Sequence, residues 1–230
     1  MYQNIKHIFF DLDHTLWDFD TNSTLTLIEI INHFDLENLG INDSNQFIAT
    51  YKKINDSYWT KYRMNQVSKD ELRLGRFRDT LLEWNIKNDE MALAINDYYV
   101  AHSPYKTKLL PNAHEVLAYL HKKYILHIIT NGFREAVTVK MRESELNQYF
   151  DEIVISEEVG FQKPHPRIFQ HLLSKKNILS DECMMIGDHY EADIVGAVQQ
   201  KIVAILFNPT KESHPYPHQI FDLIELKDFL

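Results

Sequence analysis

Cysteine is almost absent: Cys183 is the single one in 230 residues. No disulfide can form within the chain, and nothing about its stability points to an oxidising compartment. Basic runs are missing as well. Lys and Arg total 24 against 33 Asp and Glu, a formal net charge of −9, which makes polymeric nucleic acid and anionic membrane poor candidate partners. No long apolar run occurs near the start, because the segment Ile5 to Phe10 is broken at once by Asp11 and Asp13. That pattern suits neither a signal-peptide core nor a membrane span, so a cytoplasmic location is expected. The chain also lacks internal repeats, low-complexity tracts and Gly/Ser linkers. Glycine is scarce, at six residues, and four of them, Gly132, Gly160, Gly187 and Gly196, follow or lie near short apolar runs.

What is present is ordinary for a soluble globular protein: 44% hydrophobic and 25% charged residues. The length accommodates one large domain, or a core with a smaller one inserted, as a monomer or small homo-oligomer. Ile5-Lys6-His7-Ile8-Phe9-Phe10 reads as a mostly buried strand that ends in two carboxylates. From about Trp17 to His102 the apolar positions recur every three or four residues: Leu25, Ile28 and Ile31; Phe47, Tyr51, Ile54, Tyr58 and Tyr62; Leu72 to Trp84; Met91 to Tyr99. Amphipathic helices of a separate bundle are expected there, with Ser68-Lys69-Asp70-Glu71 as a capping box for the third.

After Pro104 the pattern becomes strand and helix alternation. Strands are expected at Ile125 to Ile129, Glu152 to Ile155, Cys183 to Ile186 and Ile202 to Phe207. Helices are expected from Asn112, near Arg134 to Glu143, after Pro166 and from Glu191. This order implies an α/β fold, a parallel sheet covered on both faces, with the helical block inserted after the first strand. In such a sheet the ligand crevice lies beyond the carboxyl ends of the strands. Asp11 and Asp13, Thr130-Asn131-Gly132, Glu157 to Lys163, and Gly187-Asp188 all fall at such ends.

Asp11-Leu12-Asp13-His14-Thr15 is the sharpest feature. Two carboxylates beside a buried strand repel each other and resist desolvation, so they need a cation, a proton or solvent. Asp188 and Asp193 would add two more, giving an oxygen-rich, thiol-free cluster that suits Mg²⁺ better than Zn²⁺. Thr130 and Asn131 offer donors to phosphate oxygens, and Lys163 an ammonium. Taken singly, each has a plainer reading: a solvated turn, an acidic helix start, a glycine turn, a surface lysine before a helix-starting proline.

Taken in order, the four elements resemble the four motifs of the haloacid dehalogenase (HAD) superfamily, over nearly the whole chain. The resemblance implies a doubly wound, Rossmann-like core at 1–16 and 104–230 with a helical cap at 17–103. It implies that Asp11 attacks phosphorus to become an aspartyl phosphate, and that Asp13 protonates the leaving oxygen and then activates water. It implies Mg²⁺ held by the Asp11 carboxylate, the Asp13 carbonyl and Asp188, with Asp193 contacting it indirectly, and phosphate held by Thr130, Asn131 and Lys163. Dehalogenases of this architecture generally lack the second acid, since halide leaves without a proton, so Asp13 points away from them.

A finer resemblance, in Phe10-Asp11-Leu12-Asp13, Thr15-Leu16-Trp17-Asp18-Phe19, Thr130-Asn131-Gly132-Phe133, Ser156-Glu157-Glu158-Val159-Gly160 and Lys163-Pro164, is to the pyrimidine 5′-nucleotidase branch. A nucleotide among small phosphorylated metabolites is the implied substrate. Sugar-phosphate or phosphoglycolate phosphatase, phosphomutase and non-catalytic binding protein remain alternatives. His14 and His189 depart from commoner small or acidic residues and are either surface groups or groups that touch substrate or tune Asp188. Trp17 and Phe19 either pack on a nucleobase or anchor the cap hinge. Tyr51, Tyr58, Trp59 and Tyr62 read as bundle core, and Cys183 as strand core.

Overall fold

Ile8, Phe9 and Phe10 give three successive apolar positions, and the strand they form, β1 (His7–Phe10), runs through the interior of a sheet. A computed structural model describes residues 2–230. It divides into one unit built from residues up to Phe19 with Thr107–Leu230, and another from Asp20–Lys106. The division lies three residues beyond the sequence-based limits at each end. Trp17 is buried in the core of the first unit and bridges to Leu109, and Phe19 packs against the same core.

The first unit holds six parallel strands in the order β3-β2-β1-β4-β5-β6, where β2 is Ile125–Thr130, β3 Phe150–Ile155, β4 Cys183–Gly187, β5 Val203–Phe207 and β6 Gln219–Ile220. Alternation along the strands splits the core in two. Ile8, Phe10, Leu126, Ile128, Met184 and Ile186 meet Val116, Leu117 and Leu120 on one face; Phe9, Ile129 and Met185 meet Ile168, Phe169 and Leu172 on the other. The covering helices include α5 (Ala113–Leu120) and α6 (Arg134–Glu143) on the first face and α8 (Pro166–Lys176) on the second. Cys183 is core, as expected.

One expectation changes here, and two elements add to those expected. The segment expected as a helix from Glu191 opens as a π-helical turn, Tyr190–Val195, before a short α-helix at Gly196–Gln199. Strand β6 and a capping box joining Asp222 and Glu225 at the C-terminal 3₁₀ turns were not anticipated, since so short a strand carries too little periodicity to read. A one-turn helix, α7 (Ser156–Val159), follows β3.

The second unit contains α1 (Phe19–His33), α2 (Ser44–Arg63), α3 (Lys69–Leu82) and α4 (Asp89–His102), with Leu27, Ile30, Phe47, Tyr51, Phe77, Leu81, Ile95 and Tyr99 in its core. The apolar stripe of α1 differs in part from the expected one: Ile31 is buried as expected, but Leu25 and Ile28 are exposed, and Leu27 and Ile30 are buried in their place. The interior beside them admits Ser23 and Thr26 because each is satisfied, Thr26 by the Asn22 carbonyl at 3.0 Å and Ser23 by the Tyr99 hydroxyl at 3.0 Å. The expected capping box at α3 is half made. Ser68 accepts from the Glu71 N–H at 3.1 Å, while the Glu71 carboxylate pairs with Arg78 at 2.9 Å. Tyr51 and Tyr58 are buried, as expected of bundle core, and Trp59 and Tyr62 are half-buried and meet edge to face at 5.8 Å. No helix of the described residues is long and apolar enough to cross a membrane.

Candidate active site

Each parallel strand carries its C-terminal residue to the same edge of the sheet, and four of those ends converge. Asp11 follows β1 and is buried, its N–H bonded to the Ile186 carbonyl of the neighbouring β4 at 2.9 Å. Lys163, 2% exposed, places its ammonium 2.5 Å from Asp11 Oδ1 and 2.7 Å from Asp193 Oδ1. A buried lysine is costly unless paired. Burial opposes the Lys163 charge, but Asp11 and Asp193 outweigh it and hold its pKa above the ordinary lysine range.

The backbone of Lys163 is gripped by the side chain of Asn131, which accepts from its N–H at 2.8 Å and donates to its carbonyl at 3.0 Å. Asn131, expected to meet phosphate, thus carries its carboxamide on Lys163. The Thr130 hydroxyl, buried at the end of β2, accepts from the Gly132 N–H at 3.0 Å and shapes the turn after the strand.

Thr15 ties the first motif to the fourth. Its hydroxyl donates to Asp188 Oδ1 at 3.0 Å and accepts from the Asp188 N–H at 3.1 Å. Asp193 reaches the site because Gly187 lets it: a Cβ there would lie 2.3 Å from Asp193 Oδ2, so only glycine permits the approach. The same oxygen accepts from the His189 N–H at 3.0 Å. His189 itself caps the π-helical turn, its Nδ1 accepting from the Ala192 N–H at 3.2 Å. His14 is half-buried with a left-handed backbone (φ 63°) and stacks obliquely on Phe19 at 4.7 Å.

Oxygens of Asp11, Asp188 and Asp193 all lie within 4.8 Å of one another. Burial pushes Asp11 up to about 8; the Lys163 ammonium opposes this, and the charges of Asp193 and Asp188 add to it. Burial, then Asp193, raises Asp188 to about 6, against the pull of His14, Thr15 and Lys163. One ammonium does not neutralise three carboxylates. The set fits a hard divalent cation such as Mg²⁺: every donor is oxygen, no thiol is present, and three carboxylates lie close together with one ammonium among them. Asp13 lies outside that trio. Its Oδ1 meets the Lys140 ammonium at 2.5 Å, and its side chain is 23% exposed.

Residues 5–199 match the family model of haloacid dehalogenase-like hydrolases. The chain belongs to that family. Among HAD relatives, the pyrimidine 5′-nucleotidase PynA of Streptococcus pneumoniae is 28% identical over 98% of this chain and 93% of its own length. The pyrimidine 5′-nucleotidase YjjG of Escherichia coli is 27% identical over 90% of this chain and 88% of its own. The crystal structure of the HAD-hydrolase YfnB from Bacillus subtilis bound to magnesium superposes with a TM-score of 0.88, at 27% identity and 98% coverage of both chains. The resemblance drawn from the motifs, and the parallel-sheet HAD core it implied, therefore stand.

Lys140 was missed by the sequence reading, although a signal existed. It falls three residues after Val137 and one before Met141, on the stripe of α6 that is buried, and a lysine on such a stripe needs a partner. The link between Thr15 and Asp188 had no sequence signal beyond the motif itself.

Proposed function

We propose that this HAD hydrolase is a Mg²⁺-dependent phosphatase that cleaves small phosphomonoesters through an aspartyl phosphate on Asp11, with nucleoside 5′-monophosphates as its substrate class. The observation that carries the chemistry is the convergence of Asp11, Lys163, Asp188 and Asp193 at the carboxyl edge of β1 and β4. Phosphoryl transfer depends mainly on in-line positioning and on neutralising the equatorial oxygens, and this cluster supplies a fixed carboxylate and a buried cation 2.5 Å apart.

In the first half of the reaction, an Asp11 oxygen bonds to phosphorus as the ester P–O bond breaks, and the leaving oxygen takes its proton from Asp13. In the second, water attacks the aspartyl phosphate, its proton passes to Asp13, and inorganic phosphate leaves with Asp11 regenerated. Lys163 balances the charge of the phosphoryl oxygens, and Asn131 holds Lys163 in place through its backbone. Thr130 and the main chain at Gly132 complete the phosphate cradle. Mg²⁺, held by the Asp11 and Asp188 carboxylates and the Asp13 carbonyl with Asp193 beside them, would supply Lewis-acid neutralisation of the transferring group.

Two relatives spanning most of the chain are pyrimidine 5′-nucleotidases, and this supports a nucleotide substrate. The test is phosphate release from nucleoside monophosphates, sugar phosphates and phosphoglycolate, with Mg²⁺ and with chelator. Mg²⁺-dependent release that is fastest from pyrimidine monophosphates, and lost in Asp11→Asn, is expected. Preference for a sugar phosphate overturns the substrate class and leaves the chemistry. Silence across the panel overturns the phosphatase reading.

A further inference from the structure

Lys140 has no place in the four motifs, yet it is the polar group most closely engaged with Asp13. It is 6% exposed, lies on α6, and puts its ammonium 2.5 Å from Asp13 Oδ1. The same ammonium sits 3.9 Å from the centre of the Trp17 ring and 5.5 Å from that of Phe19. Trp17 is fully buried, so the ammonium rests on a ring packed into the core of this unit. A cation taken out of water and given one carboxylate oxygen and two ring faces has little freedom to turn elsewhere.

The two oxygens of Asp13 are thereby made unequal. Oδ1 is held by Lys140, whereas Oδ2 lies toward the turn after β2, where it would be 3.5 Å from a Cβ at Gly132. The oxygen at that turn, which the phosphatase reading makes part of the phosphate cradle, is thus not the one bonded to Lys140.

We infer that Lys140 is a positioning residue for the acid and base work of Asp13: by clamping Oδ1 against the wall of Trp17 and Phe19, it presents Oδ2 to the leaving oxygen of the ester. This rests on the phosphatase reading above and adds to it a residue that acts through Asp13. The Trp17 and Phe19 rings then have a structural use that requires no nucleobase, namely to seat the clamp.

The inference makes a claim about leaving groups. An alkyl phosphate expels a poorly stabilised alkoxide and needs the proton from Asp13, whereas 4-nitrophenyl phosphate expels a stable phenolate and does not. kcat/KM covers the steps up to departure of the leaving group, so it reads this requirement directly. Lys140→Met is expected to lower kcat/KM about 100-fold for the fastest alkyl phosphate of the panel but less than about 5-fold for 4-nitrophenyl phosphate, while Lys140→Arg recovers most of the alkyl rate. If Lys140→Met is insoluble, Lys140→Gln deletes the charge and keeps a donor, and the same ratio is read. Equal losses for the two leaving groups, or no loss, overturn the positioning role while leaving the phosphatase intact. A wild-type enzyme silent on both esters overturns the phosphatase reading itself.

Discussion

The chemistry of a single residue here is set by its contacts more than by its type. Lys163 is fixed at three points, two carboxylates on its ammonium and Asn131 on its backbone. Lys163→Ala is expected to raise KM and lower kcat together, because a phosphate charge would then lack its buried partner; steady-state kinetics on the best substrate decide this, and an unchanged kcat/KM would reduce Lys163 to a structural ion pair. Thr15 makes a subtler case. Its hydroxyl both donates to and accepts from Asp188, and a valine in its place would leave the Asp188 N–H unsatisfied and its carboxylate free to rotate. Thr15→Val is expected to weaken Mg²⁺ affinity by roughly 10- to 100-fold, the usual cost of losing a group that orients a metal ligand. Metal titration followed by calorimetry measures it, and wild-type affinity would show that Asp188 orients itself.

At the scale of elements, strands β1 and β2 carry a feature far from the chemistry. His7 and His127 face each other across the strand pair with Nδ1 and Nε2 3.1 Å apart, and Asp151 of β3 lies 3.9 Å from His127 Nδ1. Burial is the main cause that lowers His127 to about 4, with His7 adding to it and Asp151 opposing; burial lowers His7 as well. Above pH ~6.5 the imidazole of His127 is neutral in both folded and unfolded chains, so its contribution to stability is complete. As pH falls from there toward 4, the unfolded chain takes a proton that the folded chain refuses, and stability drops by an amount on the order of 3 kcal/mol at most. The raised carboxyls of Asp11 and Asp188 act in the opposite sense over this range, so the difference between proteins is what reads His127: in urea denaturation, the change in stability from pH 7 to pH 5 should be less favourable in the wild type than in His127→Gln. An identical change in both would place the proton uptake on other groups. The first strand was legible as an apolar run; that its neighbour β2 carries a buried histidine with Nδ1 unbonded was not.

The whole molecule gathers three carboxylates, Asp11 and Asp193 buried and Asp188 half-buried, around the single ammonium of Lys163, which leaves the set with net negative charge. Folding gathers Asp11, Asp188 and Asp193 within 4.8 Å, whereas the unfolded chain keeps them apart. A ligand at free concentration c that binds only the folded chain stabilises it by RT ln(1 + c/Kd), about 2.7 kcal/mol at a hundred times Kd. Millimolar Mg²⁺ should therefore raise Tm, chelator should reverse the rise, and Asp188→Asn should blunt it; thermal scans with and without metal suffice, and a Tm indifferent to Mg²⁺ in the wild type would remove the metal from the proposal.

The sequence alone was enough to read the alternation of strands and helices, the inserted helical block and the strand-end positions of Asp11, Thr130 and Asp188. These are local properties: side-chain period follows from backbone geometry, and a strand end is where an apolar run meets a polar residue. The pairing of charges was decided only by the tertiary structure. Lys163 meets Asp11 across 152 residues of chain, Thr15 meets Asp188 across 173, and Lys140 meets Asp13 across 127. Such contacts depend on the rotation of each helix about its axis and on the order in which strands lie side by side, and neither is encoded in spacing. The same reason applies to α1, where Leu25, Ile28 and Ile31 or Leu27, Ile30 and Ile31 would make an apolar stripe, and only packing chose the second.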